Sequence, residues 1–163
     1  MNDAFSQKPH EILVICTGNI CRSPMGEGIL RDLLRKAGLG DIRVASAGTS
    51  GWDNHPPTPE AVRACAEIGN DISGFRSAPL EAEMAERADW ILAMEPNHLR
   101  YLERSFPGAR EKADLIGRFH PERPGLAVHD PYGEPFSAYR DARDRILRSV
   151  EGLVVALTVN NPF

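Results

Sequence analysis

A cysteine and an arginine six positions apart are the residues of this chain best suited to chemistry. Cys16 follows the apolar run 12–15, and Arg22 directly precedes a segment with helical apolar spacing. A thiolate is a strong nucleophile, and a guanidinium binds two oxygens of a phosphate through its planar fork. The spacing therefore indicates a site that holds an oxyanion and attacks it.

The residues between them are suited to an anion-binding loop. Gly18 and Asn19 are the types that most readily adopt left-handed backbone conformations, which turn successive N–H groups toward one point. Ser23 is predicted to cap a helix and Pro24 to begin it, so the helix N-terminus faces the same point. These surroundings favour the thiolate form of the cysteine. The predicted phosphate-binding residues are Thr17, Gly18, Asn19, Ile20, Cys21, Arg22 and Ser23.

Strand and helix patterns alternate along the chain. Short apolar runs predict strands at 11–16, 42–47, 89–94 and 113–116, and helical spacing predicts helices at 23–37, 59–68, 96–105 and 136–157. A proline-rich loop is predicted at 117–135. The alternation predicts an α/β fold, a single domain with a four-stranded parallel sheet and helices on both faces. Ligands of such sheets bind beyond the carboxyl ends of the strands, where Cys16 lies.

Composition excludes several classes of partner. The chain has 163 residues and a formal net charge of −4, so neither nucleic acid nor an anionic membrane surface is expected to bind it. No signal peptide or membrane-spanning run is visible, and three cysteines do not suggest a disulfide scaffold. We expect a cytoplasmic protein, monomeric or weakly self-associating. Residues 1–10 are predicted to be a flexible extension and residues 11–160 the domain.

The loop resembles that of the low-molecular-weight protein tyrosine phosphatase family. The pattern Cys-x-Gly-Asn-Ile-Cys-Arg-Ser-Pro is matched at every fixed position of residues 16–24, and the similarity continues through 25–27, 46–49, Trp52 and 130–132. The resemblance implies that Cys16 is the nucleophile and Arg22 the phosphate clamp. It also implies that Ser23 assists the thiolate and that Asp130 is the general acid.

Asp130 supplies what the loop lacks, which is a proton for the leaving oxygen. By itself an Asp-Pro pair in a loop is more often a turn, so its role as an acid rests on the resemblance. The implied reaction forms a phosphocysteine at Cys16 and hydrolyses it with Asp130 as base. No metal or other cofactor is expected. The five histidines show no ligand spacing and are expected at the surface or in loops.

Further residues are assigned outside the catalytic set. Trp52 and Tyr132 are candidate walls for a flat aryl group. Cys21 is either a packed thiol or the partner of Cys16 in a reversible disulfide. Cys65 is expected to be an ordinary core residue.

The loop also needs support from behind. Asn19 and Ser46 are predicted to hold its shape through hydrogen bonds. Many relatives carry a histidine where this chain has Phe75 and an arginine where it has Ala78. How this chain supports the loop without those two side chains is therefore an open question.

Three other functions compete with phosphotyrosine hydrolysis. A thiol-dependent arsenate reductase on the same fold needs two further cysteines after the loop, and only Cys65 is available. A protein arginine phosphatase tends to carry threonine where this chain has Ile20, and an apolar side chain suits a phenyl ring better. A non-catalytic phosphate-binding module is expected to have lost Cys16 or Asp130, and both are present. The favoured substrate is a phosphotyrosine-containing protein or peptide, or a small aryl phosphate.

Overall fold

The computed structural model of the chain describes residues 3–159. Its strands are β1 (Glu11–Cys16), β2 (Arg43–Gly48), β3 (Trp90–Ala93) and β4 (Ala113–Leu115). Its α-helices are α1 (Arg22–Lys36), α2 (Pro59–Ala66), α3 (Ala82–Arg87), α4 (Pro96–Ser105) and α5 (Phe136–Val159). Short 3-10 helices occupy Ala4–Ser6, Pro107–Lys112 and Ile116–Phe119. Within the described range, none of the helices combines the length and apolar character that crossing a bilayer requires.

The four strands form one parallel sheet in the order β2-β1-β3-β4. β1 lies in the interior of the sheet, and its last residue, Cys16, is in register with Gly48 at the end of β2. All six residues of β1 are buried, because helices cover the sheet on both sides. The predicted fold class, a single α/β domain with four parallel strands and helices on both faces, is confirmed.

Successive side chains of β1 enter two different hydrophobic clusters. Ile12 and Val14 pack in a cluster with residues of α1, α2 and α5. Leu13 and Ile15 pack in a second cluster with residues of α3 and α4. This division follows from the two-residue repeat of a strand, whose alternate side chains point to opposite faces. The strand is thereby fixed from both sides, which gives the loop after Cys16 a rigid starting point.

All eight predicted strands and helices are present, with ends shifted by at most two residues. Thr58 caps α2 as expected, accepting a hydrogen bond from the Ala61 N–H at 3.3 Å. The sequence reading missed α3 because its six residues are too few to show a helical repeat. It also missed the 3-10 helix Ile116–Phe119, which occupies the start of the predicted long loop.

The first described residues pack against the domain. The Phe5 ring lies 5.1 Å from the Trp90 ring and 5.9 Å from the Phe119 ring, measured between centroids. Trp90 Nε1 donates to the Ala4 carbonyl at 3.0 Å. Flexibility of residues 1–10 stays a prediction, while Ala4 and Phe5 themselves contact Trp90 of β3.

Candidate active site

A cleft of about 190 Å³ opens at the carboxyl ends of the central strands. It is lined by Cys16, Thr17, Gly18, Ile20, Cys21, Arg22, Ser50, Trp52, Asp130 and Tyr132. The fold thus brings the loop after β1 together with residues from two distant loops. This is the position at which ligands of parallel α/β sheets bind.

Cys16 ends β1 at the floor of this cleft with its thiol almost fully buried. Its Sγ lies 2.9 Å from Ser23 Oγ and 3.4 Å from the Ser23 backbone nitrogen. Asn19 Nδ2 donates to Ser23 Oγ at 2.6 Å, so the serine hydroxyl keeps its own proton for the sulfur. Ser23 therefore presents two hydrogen-bond donors to the sulfur, its hydroxyl and its backbone N–H.

The position of Ser23 differs from the prediction. Helix α1 starts at Arg22 with Cys21 as its N-cap, and no side chain caps it. The Ser23 hydroxyl cannot cap the helix because it bonds Asn19 and faces Cys16. A serine before a proline therefore predicted the helix start to within one residue but not the role of its side chain.

The curvature of the loop depends on Asn19 rather than on Gly18. Asn19 adopts a left-handed conformation with φ of 57°, whereas Gly18 does not have a positive φ, contrary to expectation. The Asn19 side chain is fully buried, and both its nitrogen and its oxygen are hydrogen-bonded. Besides Ser23, its Nδ2 donates to Ser46 Oγ at 3.0 Å, and its Oδ1 accepts the Ala78 N–H at 2.9 Å. One asparagine thus connects the loop to β2 and to the segment after α2.

The segment that carries Phe75 and Ala78 supports the phosphate-binding loop through its backbone. The Ala78 N–H donates to the Asn19 side chain, and the Ala78 carbonyl accepts the Gly48 N–H at 2.9 Å. Gly48 also permits close approach of the loop, since a Cβ at this position would lie 2.7 Å from the Thr17 carbonyl oxygen. The half-buried Phe75 makes none of these hydrogen bonds. At these two positions the hydrogen bonds to the loop and to β2 come from the backbone of Ala78.

Arg22 is the most completely buried charged side chain of the site, with 2% of its surface exposed. Its NH1 forms an ion pair with Glu95 Oε1 and donates to the Val128 carbonyl at 2.9 Å. Its NH2 faces the cleft, 3.5 Å from Thr17 Oγ1 and 3.6 Å from Asp130 Oδ2. The guanidinium is therefore fixed through NH1 and presents NH2, a donor suited to phosphate oxygens, to the cleft.

Sequence reasoning missed Glu95 and His98, which follow β3 at the same edge of the sheet. Glu95 caps α4 in a reciprocal capping box with His98, whose Nδ1 accepts the Glu95 N–H at 3.1 Å. The prediction that all histidines lie at the surface or in loops is wrong for His98, which is fully buried in α4. Burial, together with nearby Arg22, lowers the pKa of His98 to about 4. The sequence feature that could have indicated both residues is their position directly after the buried strand β3, because parallel strands end at the same edge of the sheet.

Asp130 reaches the cleft from the loop that precedes α5. The Val128 N–H donates to the Met94 carbonyl at 2.9 Å, which ties this loop to the end of β3. The half-exposed carboxylate accepts the Tyr132 N–H at 3.1 Å through Oδ1, while Oδ2 faces Arg22. The structure thus places Asp130 in the same cleft as the loop that carries Cys16.

Two aromatic side chains stand at the rim. Trp52 is 43% exposed and Tyr132 is 59% exposed, and both line the cleft. The loop that carries Trp52 is held by Ser77, whose carbonyl accepts the Asn54 N–H at 2.7 Å. Exposed aromatic faces on either side of a narrow cleft are suited to bind a flat ring.

The other two cysteines are buried in different settings. Cys21 Sγ lies 3.5 Å from Thr58 Oγ1 and 3.7 Å from Tyr139 OH, and burial raises its pKa to about 11. Burial raises the pKa of Cys65 to about 12, and this residue has no exposed surface. Cys65 is therefore the core residue that was expected, and both thiols are protonated at neutral pH.

No group of three or more His, Cys, Asp or Glu residues within 3–159 is arranged to hold a metal ion. The charged side chains that line the cleft are Arg22 and Asp130.

Comparison with known proteins identifies the arrangement. The profile of the family described as low molecular weight phosphotyrosine protein phosphatase matches residues 11–162. The chain belongs to this phosphatase family. It is 38% identical over 132 residues to the Escherichia coli K12 low molecular weight protein-tyrosine-phosphatase Etp, covering 81% of this chain and 84% of that protein. The match begins at the first residue of β1, so the segment with Phe5 precedes the family's shared region.

Two further relatives define the range of activities on this scaffold. The Bacillus subtilis protein-arginine-phosphatase is 34% identical over 136 residues, covering 83% of this chain and 89% of that protein. The solved structure of Vibrio vulnificus Wzb in complex with benzylphosphonate superposes with a TM-score of 0.81 at 30% identity, covering 88% of this chain and 96% of that chain. The phosphatase fold is therefore shared with enzymes named for two different phosphorylated side chains.

Proposed function

We propose that this protein hydrolyses phosphotyrosine in proteins or peptides, and small aryl phosphates, through a phosphocysteine intermediate at Cys16. The observation that carries this proposal is the arrangement of three groups around one cleft. The Cys16 sulfur has Ser23 as its donor, Arg22 presents NH2 to the cleft, and the Asp130 carboxylate lies opposite. Together these groups supply a nucleophile, an oxyanion clamp and a proton donor.

In the first step the Cys16 thiolate attacks phosphorus. A sulfur–phosphorus bond forms as the bond from phosphorus to the tyrosyl oxygen breaks, and that electron pair leaves with the oxygen. Protonated Asp130 donates its proton to the leaving oxygen, so tyrosine departs neutral. Loop N–H groups and Arg22 stabilise the charge on the three non-bridging oxygens throughout.

In the second step water replaces the sulfur on phosphorus. The Asp130 carboxylate takes a proton from the water as its oxygen bonds to phosphorus, and the electron pair of the sulfur–phosphorus bond returns to Cys16. The Ser23 hydroxyl, 2.9 Å from Sγ, stabilises the departing thiolate. Phosphate is released and both residues regain their starting protonation states.

The rim and wall of the cleft support an aryl substrate. Ile20 presents an apolar side chain to the cleft, and the Trp52 and Tyr132 rings stand at its edge. A phenyl ring buries apolar area against such surfaces, whereas a phosphoguanidino group needs polar partners for its remaining N–H groups. This contrast favours phosphotyrosine over phosphoarginine.

The decisive assay is hydrolysis of an aryl phosphate with EDTA present. Cys16→Ser should abolish turnover because an alcohol at this position is not ionised, whereas Cys65→Ser, the matched control, should retain it. Asp130→Asn should slow phenyl phosphate far more than p-nitrophenyl phosphate, because the nitrophenolate leaves without a proton. Equal losses for both esters would remove Asp130 from the acid role, and an active Cys16→Ser enzyme would refute the nucleophile.

Arginine phosphatase activity is the second candidate, because the B. subtilis enzyme of that name is 34% identical to this chain. Matched peptides carrying phosphotyrosine or phosphoarginine separate the two activities. The higher kcat/KM identifies the substrate class, and we expect it for phosphotyrosine.

The setting of the reaction follows from the same features. Cys16, Cys21 and Cys65 are all unpaired thiols, which suits a reducing compartment and supports a cytoplasmic location. We propose that the protein acts as a monomer or weakly associated species on phosphotyrosine-containing proteins. Sedimentation of the purified chain over a range of concentrations tests the assembly state.

A further inference from the structure

A buried histidine contacts the first residue after the nucleophile. His98 Nε2 lies 3.0 Å from Thr17 Oγ1, and Thr17 lines the cleft. The family's loop pattern leaves the position of Thr17 unspecified, and His98 lies 81 residues further along the chain. The contact therefore exists only because β1 and β3 are neighbours in the sheet.

The hydrogen bonds fix the tautomer of this histidine. Because Nδ1 accepts the Glu95 N–H at 3.1 Å, it carries no proton, and the ring proton of the neutral imidazole is on Nε2. Nε2 therefore donates to Thr17 Oγ1. A second proton on the ring would point Nδ1–H at the Glu95 N–H, so the geometry requires the neutral form.

The threonine hydroxyl then has one proton left to donate. Its oxygen accepts from His98 and lies 3.5 Å from Arg22 NH2. Within residues 3–159 these are the two hydrogen-bond partners of Thr17 Oγ1. The oxygen lies beside the guanidinium nitrogen that faces the cleft, so its free proton is next to the space where a phosphoryl group binds.

We propose that His98 is a positioning residue that orients the Thr17 hydroxyl, so that Thr17 donates to a non-bridging phosphoryl oxygen beside Arg22. The proposal rests on the phosphatase function proposed above. It adds a side-chain donor to the backbone N–H groups of the loop. It also gives the buried histidine a function besides capping α4.

Thr17 variants test the donor. Thr17→Val removes the hydroxyl at nearly constant volume and should lower kcat/KM for an aryl phosphate by roughly tenfold or more, the range for a lost hydrogen bond to a charged group. The inhibition constant for orthophosphate should rise as well. Thr17→Ser should restore both values. Thr158→Val, a matched change at the exposed end of α5, should change neither.

Two His98 variants separate positioning from structure. His98→Asn places an amide oxygen near the Nδ1 position and keeps the bond to Glu95, but it falls short of Thr17. His98→Gln places an amide N–H near the Nε2 position and restores the donor. We expect His98→Asn to lose activity as Thr17→Val does, and His98→Gln to remain close to wild type. In the Thr17→Val background, His98→Asn should cause no further loss.

Two results would overturn the proposal. One is a Thr17→Val enzyme with wild-type kcat/KM and phosphate inhibition. The other is an equal loss of kcat/KM in His98→Asn and His98→Gln, with each loss multiplying the loss from Thr17→Val in the double variants. A histidine with a purely structural role would give that result, because its effect would be independent of Thr17. The activity of the wild-type enzyme separates failure of the proposed function from failure of the role proposed for His98. If it fails to hydrolyse aryl phosphates the proposed function fails, whereas an active wild type with an unaffected Thr17→Val variant refutes only the role of His98.

Discussion

Acidification should destabilise this protein through one buried histidine. His98 is fully buried, and its pKa falls from 6.5 to about 4 because burial, and then Arg22, disfavour its charged form. In the unfolded chain the same histidine takes up a proton as the pH falls through 6.5, whereas the folded protein does not. The stability contributed by neutral His98 is therefore complete above pH 6.5 and is lost as the pH falls toward 4.

The magnitude follows from the two pKa values. The full difference of about 2.5 pKa units corresponds to about 3 kcal/mol at 1.36 kcal/mol per unit. Between about pH 7.5 and about pH 5, the part of this difference that is lost is about 2 kcal/mol of unfolding free energy. That is a large fraction of the stability of a domain of this size.

The assay is urea unfolding at several pH values, followed by tryptophan fluorescence, for the wild type and His98→Gln. Carboxylates titrate in both proteins, so their contributions cancel when one free energy of unfolding is subtracted from the other. The advantage of the wild type should shrink by about 2 kcal/mol on acidification over this range. A difference that stays constant between about pH 7.5 and about pH 5 would refute the reasoning.

A second histidine provides a control of opposite sign. Glu134 accepts a hydrogen bond from His129 and raises its pKa, so His129 contributes stability at low pH that is lost as the pH rises through its folded-state value. The difference between wild type and His129→Gln should therefore grow on acidification. If both differences change in the same direction, acidification acts on the whole protein and not through the local surroundings of the two histidines.

Three other changes test the loop and the N-terminal anchor. Gly48→Ala should lower kcat/KM by roughly tenfold, because the added Cβ would lie 2.7 Å from the Thr17 carbonyl oxygen and displace the loop. A folded variant with unchanged kinetics would contradict this. Brief peroxide treatment should join Cys16 and Cys21 in a disulfide that a thiol reverses, and mass spectrometry that finds only over-oxidised Cys16 would reject it. Phe5→Ala should lower the unfolding free energy by about 1 kcal/mol through its lost ring contacts, and kcat/KM should stay at its wild-type value.

Local sequence patterns were sufficient to predict the order and type of the main strands and helices. The apolar run before Cys16 predicted β1 because a buried parallel strand needs apolar side chains on both faces. Thr58 predicted the start of α2 because capping depends on neighbours in sequence. Helix α3 was missed, since six residues give too little periodicity and its position depends on packing. Gly18 shows the same limit, because its backbone freedom did not determine the conformation it adopts.

The sequence by itself determined the chemical groups of the site: a cysteine, an arginine and a phosphate-binding loop, with Asp130 added by resemblance. Tertiary structure alone decided how those groups are held. Glu95 fixes Arg22, Ala78 supports Asn19 through its backbone, and His98 reaches Thr17. The physical reason is that these contacts join residues 59 to 81 positions apart, and only strand pairing and helix packing bring such residues within hydrogen-bond distance.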